Sequence, residues 1–127
     1  MKHNTKNMNI GKALNTMLST ILPSYPIIAD QGANFPFSVY RRLGYQVKNT
    51  KDIYNYEETI IIEVNIAATT YAESIALAQR VKDQLEHTRG EFENLKINDI
   101  SMTDAGEDWV NDAYIQTMRF NIDLDGK

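Results

Sequence analysis

The sequence has no cysteine in 127 residues. That absence excludes disulfide frameworks, thiol nucleophiles, thiolate zinc sites and iron–sulfur ligation. Histidine is nearly as scarce. His3 lies near the N-terminus and His87 near the end of a predicted helix, where a cation suits the helix dipole. No carboxylate or nucleophile is placed with His87 by spacing, so it reads as a surface histidine and not as a general base. The six glycines (Gly11, Gly32, Gly44, Gly90, Gly106 and Gly126) never group into a phosphate-binding loop. Long apolar runs are missing too. Lys12, Asn15, Thr16 and Ser19 interrupt the first hydrophobic stretch, which leaves neither a signal peptide nor a membrane anchor to read and implies a protein made and kept in the cytoplasm. Excess positive charge is absent as well: the formal net charge is −4, the wrong sign for a protein that grips nucleic acid by neutralising phosphates.

What remains is a chain of one ordinary domain's size with 43% hydrophobic residues, enough to bury roughly two thirds of its unfolded surface. Residues 1–8 are polar and Asn-rich without periodicity and read as a flexible N-terminal tail; residues 9–127 read as a single α+β domain. Ile10, Ala13, Leu14, Met17, Leu18 and Ile21 recur at helical spacing, which predicts a helix from Asn9 to Leu22 with Asn9 as N-cap and Pro23 beyond its end.

The period then changes to two. Tyr25–Ala29 reads as a short strand, Asp30–Asn34 as a turn and Phe35–Val47 as a longer strand in which Gly44 marks a bulge. Lys48–Asp52 reads as a charged loop. Tyr56–Ala68 carries the strongest alternation, with Ile60, Ile62, Val64, Ile66 and Ala68 on one face and Thr59, Ile61, Glu63, Asn65 and Ala67 on the other. Thr70-Tyr71-Ala72-Glu73 spells a capping box. The helix it opens is expected to turn Ile75, Ala78, Val81 and Leu85 inward and to stop near Gly90. Phe92–Met102 and Ala113–Leu124 read as two more strands, joined by an acidic loop over residues 103–112. This order predicts an α+β layer, a mostly antiparallel sheet of four to five strands with two helices packed on one face.

No residue set carries a catalytic reading, and none assigns a cofactor or a metal. Asp104, Glu107, Asp108 and Asp112 crowd one loop, yet their spacing does not match an EF-hand, and a solvated acidic loop accounts for them. Glu57 and Glu58 are strand neighbours and face opposite sides, which argues against a paired acid and base. Arg41 and Arg42 suit an ion pair either within the chain or to a neighbouring subunit. Tyr54 and Tyr56 at the mouth of one hairpin, and Trp109 beside Asp108 in the acidic loop, read either as interface anchors or as aromatic lids folded over the core. Arg41, Arg42, Tyr54, Tyr56, Asp108 and Trp109 are therefore the candidate assembly interface.

Four stretches, Tyr25–Ala29, FPFSVYRR at Phe35–Arg42, ETIIIEVNIAATTYAESIALAQRVKDQLE at Glu58–Glu86 and DAYIQTMRFNI at Asp112–Ile122, resemble the tail-completion (tail-terminator) proteins of long-tailed bacteriophages. The resemblance covers nearly the whole chain from the first helix onward. It implies a structural protein that forms a homo-oligomeric ring, commonly a hexamer, at the head-proximal end of the tail tube. Its partners would be copies of itself, the tail-tube protein and the head–tail connector, in the virion of a phage or prophage. An acidic protomer would let DNA slide through the ring's lumen without specific binding. Two other classes remain open on the residues alone: a small α+β ligand-binding or regulatory domain acting as a dimer, and an enzyme using the acidic loop with a metal.

Overall fold

The computed structural model describes residues 9–49 and 56–125, so the predicted tail at 1–8 and most of the predicted loop at 48–52 lie outside the described residues. The chain is α+β. In order it forms α1 (Ile10–Leu18), β1 (Ser24–Pro26), β2 (Phe37–Asn49), β3 (Tyr56–Ala68), α2 (Tyr71–Leu85), β4 (Gly90–Phe92), β5 (Leu95–Val110) and β6 (Ala113–Asp125). The strands form one six-stranded sheet in the order β1-β2-β3-β6-β5-β4. β1 runs parallel to β2, and every other neighbouring pair is antiparallel.

The expected sheet of four to five antiparallel strands is thus corrected to six mixed strands. The short strand expected at Tyr25–Ala29 is present as β1, shifted to Ser24–Pro26 and parallel to its neighbour, and the strand beyond expectation is β4, whose three residues are too few to print an alternating pattern. The larger correction is at residues 103–112. These form no loop: β5 runs 16 residues to Val110 and returns through Asn111 and Asp112, both at positive φ as a tight type I′ hairpin turn requires. Asp, Gly and Glu disfavour strands intrinsically, but pairing with the strongly alternating β6 overrides that preference.

Both helices lie on one face. α1 is shorter than its periodicity suggests, because Ser19 and Thr20 turn their hydroxyls back onto Asn15 Oδ1 (3.1 Å) and the Met17 carbonyl (2.8 Å) as the chain unwinds toward Pro23. Asn9 holds the N-cap position without a side-chain capping bond. In α2 the N-cap half of the capping box forms, with Thr70 Oγ1 accepting from the Glu73 N–H at 3.2 Å. Its buried stripe is Ser74, Leu77, Val81 and Leu85, while Ile75, expected inward, is exposed. Gln116 Nε2 donates to Ser74 Oγ at 3.2 Å, and this buried polar contact turns Ser74 to the sheet and Ile75 out. α2 ends at Leu85 and not near Gly90: Glu86 is extended, His87 takes φ 63° and its N–H donates to the Ile100 carbonyl at 2.7 Å, steering the chain into β4.

The core lies between helices and sheet. Ile60, Ile62, Val64 and Ile66 of β3 and Phe120, Ile122 and Leu124 of β6 interleave with Leu14 and Leu18 of α1 and Val81 and Leu85 of α2. Each such side chain stabilises the fold by about 1.5–3 kcal/mol through burial. The bulge expected at Gly44 is present: pairing with β3 slips between Arg42 and Gly44, leaving Leu43 without a partner across the ladder. After the slip, Tyr45 lies against the core and donates its hydroxyl proton to buried Glu58. Glu57 is exposed, so the two neighbouring glutamates do face opposite sides.

Candidate functional site

With both helices on one side, the other side of the sheet is left uncovered by the described residues, and register brings together residues that are far apart in sequence. Arg41 of β2, Glu63 of β3, Arg119 of β6 and Asp104 of β5 lie side by side in one row of alternating charge. Arg41 Nε donates to Glu63 Oε1 at 3.1 Å, and Arg119 Nε donates to Glu63 Oε2 at 3.3 Å. Arg41 therefore pairs within its own chain. Burial pushes the Glu63 carboxyl pKa up, but hydrogen bonds from Asn65 and the two arginines, with the Arg41 charge, outweigh it and leave the group below the usual glutamate value. Glu63 is thus an ionised structural clamp and not an acid poised for proton transfer.

Rows held by threonine hydroxyls lie to either side of the charged one. Thr117 Oγ1 donates to Asn65 Oδ1 at 2.6 Å on one side, and Thr59 Oγ1 donates to Asp123 Oδ1 at 2.9 Å on the other. Toward the β5–β6 turn the face becomes apolar. Phe35, Phe37, Ala67, Val110, Ala113 and Ile115 line a shallow depression of about 480 Å³. No ionisable side chain lines it, so it is chemically suited to apolar contact and not to acid–base work.

The same end of the molecule carries a second aromatic group on the helix side. Trp109 meets Tyr114 edge-on with ring centroids 4.7 Å apart, and Tyr71, the first residue of α2, meets Tyr114 at 5.6 Å. Trp109 is held on one side yet keeps 52% of its surface exposed, so it acts both as a lid on Tyr114 and as a presented aromatic. Tyr71 donates its hydroxyl proton to Glu107 Oε1 at 3.1 Å, and Gln116 Nε2 donates to Glu107 Oε2 at 3.0 Å. The bond to Glu107, reinforced by its charge and by slight desolvation, raises the Tyr71 phenol pKa. Glu107 thereby ties α2 to the hairpin.

The hairpin also redistributes the acids once grouped in a loop. Asp104 and Asp108 lie on the uncovered face, Glu107 on the helix face and Asp112 in the turn. Asp108 Oδ1 accepts from the Trp109 N–H at 2.8 Å, and Asp104 Oδ1 from the Ala105 N–H at 3.0 Å. Among the described residues no three His, Asp or Glu side chains converge as ligands for a metal ion. His87 stands apart, largely exposed, with Nδ1 3.5 Å from Asp99 Oδ1.

Of the other sequence candidates, Arg42 is exposed beside the bulge, level with Ile62. Tyr54 lies outside the described residues; Tyr56 opens β3, and its side chain is likewise outside them. Among the described side chains, the structure does not bring Arg41, Arg42, Asp108 and Trp109 into one site. It brings Trp109 and Asp108 to the apolar end and Arg41 to the charged row. Glu63, Arg119 and the Phe35–Phe37 pair escaped selection. A glutamate inside the apolar Tyr56–Ala68 run was the available signal for the first of these.

No protein-family model and no curated protein sequence matches the chain. Among solved structures, a chain of the virion of a native gene transfer agent particle is similar, with a TM-score of 0.62 and 14% sequence identity over 89% of this chain and 84% of that one. At that identity the likeness is one of fold. Among the described residues no helix is long and apolar enough to cross a membrane.

Proposed function

We propose that this chain is a structural protein of a phage or phage-like virion, a tail-completion protein that forms a homo-oligomeric ring at the head-proximal end of the tail tube and joins it to the head connector. The observation that carries the reading is the fold, which is similar over most of its length to a virion chain of a gene transfer agent particle. The sequence stretches that resemble tail-completion proteins form β2, β3, α2 and β6, the framework of that fold. The surfaces suit assembly: a sheet face without a helix layer, and an end where Phe35, Tyr71, Ile75, Trp109 and Val110 are all exposed. The role calls for no catalysis and no cofactor. The dimeric ligand-binding alternative would need a polar pocket, whereas the depression described above is open and lined mainly by apolar side chains.

The test is light scattering on the purified chain over a wide concentration range, alone and with the tail-tube protein of the same virion. Oligomers, formed alone or on contact with the tube, are expected. A monomer at every concentration that the tube fails to recruit would end the proposal.

A further inference from the structure

An open sheet presents two edges, and bare strand edges invite pairing with another chain. At the β1 edge the chain's own groups prevent this. Ser38 N–H donates to the Pro23 carbonyl and Ile27 N–H to the Tyr40 carbonyl on the inner side, so Ser24 and Pro26 turn their backbone groups outward. The Ser24 carbonyl accepts from Asn15 Nδ2 at 3.1 Å, Pro26 has no N–H, and the Pro26 carbonyl accepts from the Ile28 N–H at 2.7 Å. Farther along β2, the bulge between Arg42 and Gly44 interrupts the ladder.

The opposite edge is longer. β4 covers β5 only from Leu95 to Ile97, His87 takes the Ile100 carbonyl, and among the described residues no strand lies outside β5 from Ser101 to Val110. The two-residue turn at Asn111 and Asp112 makes Val110 and Ala113 a hydrogen-bonded pair. Asp104, Gly106, Asp108 and Val110 therefore turn their amides to β6, while Ala105, Glu107 and Trp109 turn theirs to the open edge. Two of these outward amides are taken: the Ala105 N–H by Asp104 Oδ1 at 3.0 Å and the Trp109 N–H by Asp108 Oδ1 at 2.8 Å. All four residues are exposed, where water would serve the amides as well. The bonds matter for what can approach. An incoming strand would have to place carbonyl oxygens where these amides point, and there it meets a carboxylate oxygen already bonded to the amide.

We infer that Asp104 and Asp108 guard the free edge of β5: by holding the Ala105 and Trp109 amides and setting negative charge beside them, they keep a second copy of this chain from adding its own strand there. Without the guard, two β5 edges would pair antiparallel, joining two sheets into one. With it, self-association is left to the faces and ends of the sheet. The guard acts on the single chain, so it stands or falls independently of the ring proposed above.

The absence of cysteine makes the test clean, because a nitroxide label can be set on Gly106→Cys alone, where there is open space for a Cβ. The label is read in three backgrounds: wild type, Asp104→Ala with Asp108→Ala, and Asp30→Ala with Asp83→Ala, which removes the same charge away from the edge. Dipolar broadening that grows with protein concentration is expected only in the second, as two β5 edges come together. Amide exchange on dilute protein is a second readout that needs no association: the Ala105 amide should exchange at least tenfold faster in Asp104→Ala, and the Trp109 amide at least tenfold faster in Asp108→Ala. Circular dichroism checks that each variant folds, and the single variants carry the exchange test even if the paired variant does not fold. No broadening in the unguarded chain, equal broadening in all three backgrounds, or unchanged exchange at both amides would overturn the inference.

Discussion

Arg41 and Glu63 face each other directly across β2 and β3, and the guanidinium Nε closes on the carboxylate at 3.1 Å. Arg119, 3.3 Å from the other carboxylate oxygen on the far side, makes Glu63 the centre of a clamp across three strands. The clamp lies on the face that the helices leave uncovered, where packing alone holds the strands less firmly.

The Glu63 carboxyl pKa is held below its ordinary value, so its stabilising contribution is complete at neutral pH and is lost as pH falls through the depressed folded-state value. Both arginines are about half exposed, which keeps the contribution modest. Glu63→Gln should cost about 1 kcal/mol at pH 7. The difference from wild type should shrink at strongly acidic pH, as Glu63 becomes protonated in the folded chain as well as in the unfolded one. Urea unfolding at neutral and at strongly acidic pH checks this, and an equal difference at both would show that the clamp is not electrostatic.

Thr70 caps α2 through its hydroxyl, so Thr70→Ala should lower stability by about 1 kcal/mol, and Thr70→Asn should recover most of it. Thermal unfolding of the pair separates the capping bond from a mere loss of bulk.

At the hairpin tip, Asn111 and Asp112 both hold positive φ, and the second position of such a turn favours glycine. Asp112→Gly is expected to raise stability by about 0.5 kcal/mol, read as a higher denaturation midpoint with an unchanged denaturant slope. A loss of stability would mean that residues 111–112 do not form this turn.

Phe120 is fully buried in the middle of β6, and Phe120→Ala should cost about 3–5 kcal/mol. Trp109→Ala, by contrast, should leave folding within about 1 kcal/mol of wild type, since one face of the indole is exposed. If Trp109 is an assembly anchor, that variant loses association at least tenfold while its melting curve barely moves; a large melting shift with intact association would make Trp109 only a lid on Tyr114.

The parts of this fold that were legible in the sequence are those in which one segment carries its own pattern. Ile60 to Ala68 alternate over a whole strand, and Thr70 with Glu73 marks the helix start by local chemistry alone. The Gly44 bulge was visible for the same reason. What escaped depends on partners. β4 exists because Leu95–Ile97 accept it as a neighbour, β1 runs parallel because of how it docks on Ser38–Tyr40, and the Asp104–Trp109 stretch is a strand because β6 pairs with it. Helical spacing alone points Ile75 inward and cannot show that Gln116 draws Ser74 to the sheet instead. The clamp was hidden for a similar reason: Arg41, Glu63 and Arg119 are separated by 22 and 56 positions and meet only through register.

Native mass spectrometry of the purified chain, alone and with tail-tube protein, tests the central claim most directly. The account predicts a closed oligomer of fixed copy number, a hexamer if the ring follows the tail-completion pattern, formed alone or on contact with the tube. A chain that remains monomeric, or stops at a dimer, under both conditions would contradict it.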